Sequence, residues 1–240
     1  MKKVLIIFVF LGVVFYCIVI YQKTIIRKRQ KNYNEETEEK KIETNMPDIE
    51  TIVHKTLGES VEIIDYSINS FDSDNVYYFA VIKHDERKRI LAVKYNKGGE
   101  ICVIANNEYA VLQKDEGGVY GDPYDGIKVE NNQLIMMFYG GSAAYRWRRI
   151  FYFNISNDNI VLSRYIYYYF SANVDDMTDE ESILKSEGGH ARVINYDNCT
   201  VTDKKNKNGE IVIEEQNIDK FVYKIEEFNI NEFKEKFDWE

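Results

Sequence analysis

The sequence predicts a mainly β domain of antiparallel strands with short peripheral helices, preceded by one N-terminal transmembrane helix. Three observations support this prediction. An uncharged apolar run occupies residues 4–21, the chain has 19 tyrosines against 2 prolines, and short β-branched and aromatic runs recur from residue 60 onward between Gly, Asn and Asp clusters. We expect these strands to form either a meander resembling part of a propeller or a sandwich-like pair of sheets.

The N-terminal residues predict a membrane anchor and a stalk. Residues 1–3 form a short tail, and the run at 4–21 nearly spans a ~30 Å hydrocarbon core at about 1.5 Å per residue. The run ends in bulky residues and offers no small-x-small cleavage site, so we expect an uncleaved signal anchor. Residues 22–46 carry blocks of both charges and too few apolar side chains to fold alone, which predicts a charged linker.

Two opposing charge signals bear on membrane orientation. Five basic residues follow the apolar run between positions 23 and 31, and the positive-inside bias favours a cytoplasmic location for them. Lys2 and Lys3 in a short tail instead resemble the start of an export signal. We expect a single-pass protein of the cell membrane whose domain at 47–240 is extracytoplasmic.

Composition restricts the partners and the cysteine chemistry. A net charge of −9 and a pI near 5.1 do not provide the basic face that phosphate binding requires, so no nucleic-acid partner is expected. The richness in Lys, Asn, Ile and Tyr is typical of an AT-rich bacterial genome. Cys102 and Cys199 lack CxxC or Cys/His spacing, so the sequence contains no recognisable zinc-binding motif at these cysteines. They are either two buried thiols, as we expect, or a disulfide pair.

Local signals place a helix and then strands after Pro47. Asp48 can cap a helix that Gly58 ends. A hairpin turn is predicted at residues 97–100, where two glycines allow positive φ. Strands are predicted at 60–71, 75–85, 88–96, 99–106 and 108–115.

The segment from Gly117 to Asn154 holds six of the 13 glycines and predicts the corners of a β-meander. Hairpin turns are expected at residues 131–132, 140–142 and 156–159. Period-two alternation places Tyr145, Trp147, Phe151, Phe153 and Ile155 on one face, and Arg146, Arg148 and Tyr152 on the other. The residues interpreted as turn chemistry are Gly117, Gly118, Gly121, Asp122, Pro123, Gly126, Gly140 and Gly141.

The last third of the chain is less regular. Residues 173–189 fit either a capped short helix or a mobile loop. Strands are predicted at 190–203, 210–217 and 220–228. A terminal helix is expected at 229–239 with Asn231 as its N-cap.

One set of motifs carries a resemblance to a known family. The pattern Gly-Gly-Val-Tyr-Gly-Asp-Pro-Tyr-x-Gly-Ile at 117–127, with Tyr-Gly-Gly-Ser at 139–142 and Arg-Trp at 146–147, resembles the signature of uncharacterised bacterial exported proteins and lipoproteins. The resemblance covers about residues 60–200 and implies an FG-GAP- or VCBS-like β segment at 70–96. It implies export and no assigned reaction. The matching calcium-loop position at 72–76 keeps only two carboxylates and lacks the glycine, so no metal is expected.

No catalytic or cofactor motif is present, and no cofactor is predicted. His54, His84 and His190 stand far apart, and neither a nucleophile elbow nor a phosphate loop occurs. Asp122 and Asp125 of the GDPYDG loop have two interpretations. They are either ordinary turn residues, which we favour, or the carboxylates of a glycan-directed hydrolase.

The aromatic and arginine cluster has the strongest binding character. Its tyrosines either pair across strands on the outer face of a sheet or form a ligand surface with the arginines. The candidate ligand surface comprises Tyr145, Arg146, Trp147, Arg148, Tyr165 and Tyr167. We therefore predict a membrane-anchored, non-enzymatic interaction or sensing module with a protein or cell-wall glycan partner. The alternative is a cell-envelope hydrolase acting through the GDPYDG loop.

Overall fold

The computed structural model describes residues 46–58, 61–71 and 73–238, and these form a mainly antiparallel β structure, as predicted. The anchor at 4–21 and nearly all of the linker at 22–46 lie outside the described residues, as does Asp72 of the weak calcium-loop match. Within the described part, no helix combines the length and apolarity that crossing a membrane requires.

The described residues contain eleven strands and three helices. In chain order the elements are α1 (Ile49–Leu57), β1 (Glu62–Asn69), β2 (Asn75–His84), β3 (Arg87–Asn96), β4 (Ile101–Asn107), β5 (Tyr124–Glu130), β6 (Gln133–Gly141), β7 (Tyr145–Ser156), β8 (Asn159–Ser171), α2 (Glu180–Lys185), β9 (His190–Asn195), β10 (Thr200–Lys207), β11 (Glu210–Asn217) and α3 (Ile230–Phe237).

The strands form two antiparallel meanders. β1 to β4 make a four-stranded sheet in chain order, and β5 to β11 make a seven-stranded sheet in chain order. Short turns allow this arrangement because their residues accept positive φ. Asn131 and Asn132, with φ of 49° and 60°, join β5 to β6 at the predicted hairpin.

Side chains link the neighbouring edges of the two sheets, β1 and β5. A carboxylate oxygen of Asp65 accepts a hydrogen bond from the backbone N–H of Ile127 at 3.1 Å. The Ser67 hydroxyl oxygen accepts one from the backbone N–H of Val129 at 3.2 Å. These bonds occupy donors that an edge strand otherwise leaves unpaired.

The inward faces of both sheets contribute to one hydrophobic core. Phe79 of β2 and Phe151 of β7 are fully buried members of it, and each contributes roughly 1.5–3 kcal/mol by leaving water. Helix α3 packs into the same core through Phe233, whose ring lies 5.6 Å from that of Phe151. The terminal helix therefore helps to fill the space between the sheets.

Helix α1 follows its sequence signals closely. The Asp48 side chain accepts from the backbone N–H of Thr51 at 2.7 Å, and Gly58 ends the helix with φ of 95°. The Tyr78 hydroxyl of β2 donates to the carbonyl oxygen of Pro47 at 2.7 Å. This bond ties the start of the helix to the four-stranded sheet.

Three strand predictions are wrong in detail. Residues 108–115 form no strand but an irregular segment: Ala110, Val111 and Leu112 are buried, and the side chain of Gln113, not a strand backbone, bonds the backbone N–H and carbonyl of Lys88 in β3. Residues 190–203 break into β9 and β10 at a turn where Cys199 has φ of 57°. Residues 220–228 make only an isolated bridge to β8.

Two helix predictions are refined by the structure. Of the two alternatives for residues 173–189, the capped short helix is correct. Asp179 caps this helix, α2, by accepting from the backbone N–H of Ser182 at 2.8 Å. The terminal helix is capped by Asn229 and not by Asn231. The Asn229 side chain accepts from the backbone N–H of Asn231 at 3.1 Å, so Asn231 already lies inside the helix.

Candidate functional site: the outer face of the seven-stranded sheet

The glycine-rich loop before β5 folds back onto the end of β6. The backbone N–H of Gly141 donates to the Gly117 carbonyl at 3.0 Å, and that of Val119 donates to the Gly141 carbonyl at 3.0 Å. A Cβ on Gly118 would overlap the Gly141 carbonyl, and one on Gly140 would overlap the Trp147 ring. These glycines permit backbone contacts that no larger residue allows.

The GDPYDG loop is held by charge and hydrogen bonds. Asp122 forms an ion pair with Lys88, which is 4% exposed, and accepts from the backbone N–H of Tyr124 at 3.1 Å. The Tyr124 hydroxyl donates to Asp65 at 2.9 Å, whereas Asp125 is exposed. The carboxylate of Asp122 is thus engaged in structural contacts.

A closed polar cluster lies at the inward face of β7 and β8. Arg149 donates to Asp238 from Nε at 2.9 Å and from Nη2 at 2.5 Å, and the Tyr165 hydroxyl donates to Asp238 at 2.6 Å. The Arg149 guanidinium also lies 4.0 Å from the centre of the Trp147 ring. Burial, followed by the charge of Asp238, raises the pKa of Tyr165 well above its ordinary value, so the phenol stays protonated. Every charge in this cluster has a partner.

The opposite, outward face of the same strands is open. A depression of about 540 Å³ lies over β5 to β8, and helix α2 covers the neighbouring part of the sheet through Ile183 and Leu184. The depression is lined by Lys128, Glu130, Asn131, Gln133, Ile135, Met137, Arg148, Ile150, Tyr152, Arg164, Ile166, Tyr168 and Thr178. An apolar floor with polar groups around it is typical of a binding site.

Electrostatics in the depression are dominated by two arginines. Lys128 pairs with Glu130 at 2.7 Å, but among the described residues neither Arg148 nor Arg164 has a carboxylate partner. The Arg164 guanidinium lies over the Tyr152 ring at 4.0 Å. Such a cation–π contact does not pair the guanidinium with a carboxylate.

The rim next to α2 carries acidic residues, of which Glu180 is paired within the rim. The Tyr168 hydroxyl donates to Glu180 at 3.1 Å, and the same carboxylate accepts from Lys204 at 2.5 Å. Burial raises the pKa of Tyr168, so its phenol is protonated at neutral pH. Glu180 is thus occupied by Tyr168 and Lys204, and the Asp176 carboxylate on the same rim accepts from the Thr178 hydroxyl at 2.7 Å.

The structure disperses the ligand surface predicted from the sequence. Trp147, Tyr165 and Tyr167 point inward and pack in or against the core, so these tyrosines are not on an outer sheet face as expected. Tyr145 stacks on Tyr169 at 5.3 Å, and Arg146 lies over the Tyr120 ring at 4.1 Å. Of the predicted residues, Arg148 alone lines the depression.

Sequence reasoning missed the second half of this face. Arg164, Ile166 and Tyr168 of β8 line the depression, but they were not singled out. A signal for them was present, because Arg-x-Ile-x-Tyr occurs at 148–152 and again at 164–168.

Two further kinds of site, a metal centre and a disulfide, can be checked in the described residues. No group of three or more His, Cys, Asp or Glu side chains in that part of the chain converges as a metal site. Cys102 is exposed, so the expectation of a buried thiol there is wrong; Cys199 is partly buried, and both thiols are free.

Comparison of the chain with protein-family models, with curated proteins and with solved structures finds no match.

Proposed function

We propose that this protein is a membrane-anchored interaction module that binds a protein partner on the outer face of its seven-stranded sheet. The observation that carries the proposal is the pair Arg148 and Arg164, which stands over an apolar floor with no carboxylate partner among the described residues. Arginine, tyrosine and methionine are enriched where proteins meet. This depression presents all three.

A protein partner suits the depression better than a cell-wall glycan does. Sugar rings bind by stacking on free aromatic faces. Here one face of Tyr152 is covered by Arg164, and Tyr168 is only 9% exposed. The floor is formed by Ile135, Ile150 and Ile166, which are at most 9% exposed and match apolar side chains of a protein.

We place the domain outside the cell on two grounds. The apolar run at 4–21 follows a short basic tail, and the glycine motifs resemble those of an exported family. If added protease leaves the domain whole on intact spheroplasts but degrades it after lysis, the proposed orientation is wrong.

Of the two predicted strand arrangements we assign the sandwich-like one, because side chains of both sheets share one core.

The hydrolase alternative is not proposed. Its acidic loop would need a carboxylate free to accept or donate a proton. A glycosidase uses a pair of carboxylates, and in this loop Asp122 is instead paired with the buried Lys88 and bonded to the backbone of Tyr124, which leaves only the exposed Asp125.

Photo-cross-linking in intact cells tests the binding face. A photoreactive phenylalanine replaces Tyr152 in the depression or, as the matched control, Tyr109, which is 53% exposed and lies outside it. We expect a defined adduct from position 152 and none from 109, and the additional change Arg148→Glu should abolish it. Equal cross-linking from both positions, or an adduct that persists with Arg148→Glu, would contradict the proposal.

A further inference from the structure

The depression carries one three-residue pattern twice, in opposite directions. The motif Arg-x-Ile-x-Tyr at 148–152 in β7 lies beside the same motif at 164–168 in antiparallel β8. The register pairs Arg148 with Tyr168, Ile150 with Ile166, and Tyr152 with Arg164. A local twofold axis therefore passes between the two isoleucines.

This register fixes the separation of the two charges. Arg164 lies opposite Tyr152, four positions along β7 from Arg148. At about 3.4 Å per residue, the two arginine positions are roughly 14 Å apart along the strand direction. Residues i and i+4 of any extended peptide have the same separation, because they share the geometry of a strand.

We infer that the depression binds an extended acidic peptide segment with Asp or Glu at positions i and i+4 and an apolar residue at i+2. This inference rests on the proposed function and specifies its ligand. The acidic side chains meet Arg148 and Arg164, and the apolar one meets the Ile150–Ile166 pair, whose members are 7% and 9% exposed. Because the backbone register of the two motifs is twofold, we expect the segment to bind in either chain direction.

Charge complementarity supports an acidic occupant. Lys128 and Glu130 neutralise each other at 2.7 Å, which leaves the two arginines as a positive patch on a chain of net charge −9. Guanidinium groups bind carboxylates through two parallel N–H donors. The Arg164 guanidinium carbon lies 4.0 Å from the centre of the Tyr152 ring, and among the described residues Arg164 forms no ion pair with a carboxylate.

Binding of a labelled peptide to the full chain tests the inference. The probe Gly-Ser-Glu-Thr-Leu-Asn-Glu-Gly should bind, its reversed sequence should bind within about twofold, and the version with both Glu replaced by Gln should bind at least tenfold more weakly. Arg148→Gln and Arg164→Gln should each weaken binding by roughly tenfold, since each removes one charged hydrogen-bonding pair. Arg87→Gln, an exposed arginine on the other sheet, is the matched control and should have no effect.

Several results would overturn the inference. These are equal binding of the Glu and Gln peptides, a preference for one chain direction, or loss with only one of the two arginine variants. By contrast, a rise in peptide affinity when Glu35, Glu36, Glu38 and Glu39 are changed to Gln would support an acidic ligand, because it would show that the chain's own acidic segment competes for the face. If the peptide fails while cross-linking from position 152 still depends on Arg148, the proposed function stands and only the ligand class is wrong.

Discussion

The ammonium group of Lys88 is paired with the carboxylate of Asp122, although the Lys88 side chain is only 5% exposed. The same residue is fixed through its backbone, since its N–H donates to Gln113 at 2.8 Å and its carbonyl accepts from Gln113 at 3.0 Å. Removing an ammonium group from water costs several kcal/mol unless a counter-charge offsets it. The GDPYDG loop supplies that charge to the four-stranded sheet.

The first prediction concerns this pair. Asp122→Asn should destabilise the protein by about 1–3 kcal/mol, which is less than for a fully buried pair because the Asp122 side chain is 47% exposed. Asp125→Asn, in the same loop, should stay within about 0.5 kcal/mol, because Asp125 is exposed and forms no ion pair with another described residue. Urea unfolding of the variants measures both. Equal stability of the two variants would show that Lys88 does not depend on Asp122.

The second prediction concerns the contact of Gly140 with Trp147. Gly140→Ala should destabilise by about 1–3 kcal/mol, because the new methyl group overlaps the indole ring. Trp147→Ala should cost less than the 3–5 kcal/mol of a fully buried aromatic, since Trp147 is only partly buried.

The two changes should not be additive. In the double variant the indole that obstructs the methyl group is gone, so the combined cost should fall at least about 0.5 kcal/mol below the sum of the single costs. A double-mutant cycle by thermal or urea unfolding checks this. Strict additivity would mean that Gly140 is required for the nearby Gly117 carbonyl alone.

The third prediction concerns the inward cluster of Arg149, Tyr165 and Asp238. Asp238→Asn should cost about 3–5 kcal/mol, because it leaves a buried guanidinium without its counter-charge. The exposed Asp219→Asn is the control and should be nearly neutral. Urea midpoints compare them, and a near-neutral Asp238→Asn would mean that water reaches Arg149.

The fourth prediction is a pH dependence that arises from His190. Burial lowers its pKa, and Asp203, 3.4 Å away, opposes this shift only in part. The neutral ring is therefore favoured in the folded state, whereas the unfolded chain takes up a proton near its ordinary pKa of about 6.5. The resulting stability is present above pH 6.5 and is lost as the pH falls through the lower folded pKa.

Urea unfolding between pH 5 and pH 7.5 tests this expectation. The wild-type midpoint should fall with pH across this range, and His190→Gln should flatten the profile. An unchanged slope in the variant would assign the pH dependence to other groups.

Local signals were sufficient where the chain itself defines the conformation. Asn131 and Asn132 adopt positive φ, so their hairpin could be predicted, and Asp48 caps α1 by reaching a backbone N–H three residues away. The alternation along β7 was also predicted. Such features depend on neighbours within a few positions.

Predictions failed where contacts between distant segments decided the conformation. Residues 108–115 are rich in apolar side chains, which indicates a strand, but three consecutive ones enter the core and no ladder forms. The tyrosines of β8 were also predicted on the wrong face of the sheet. A bulge between the Tyr152 and Phe153 pairs shifts the register, and Tyr165 and Tyr167 turn inward.

The sequence by itself determined the strand-rich class, the order of most strands and the places of the turns, because these follow from side-chain period and backbone preference. Only the tertiary structure decided which face of each strand meets the core, and this choice separates the paired Arg149 from Arg148 one residue away. It also brought Lys88 to Asp122, 34 residues apart, and the two arginine motifs to one surface. The physical reason is that such contacts depend on how sheets pack and pair, which period and composition do not specify.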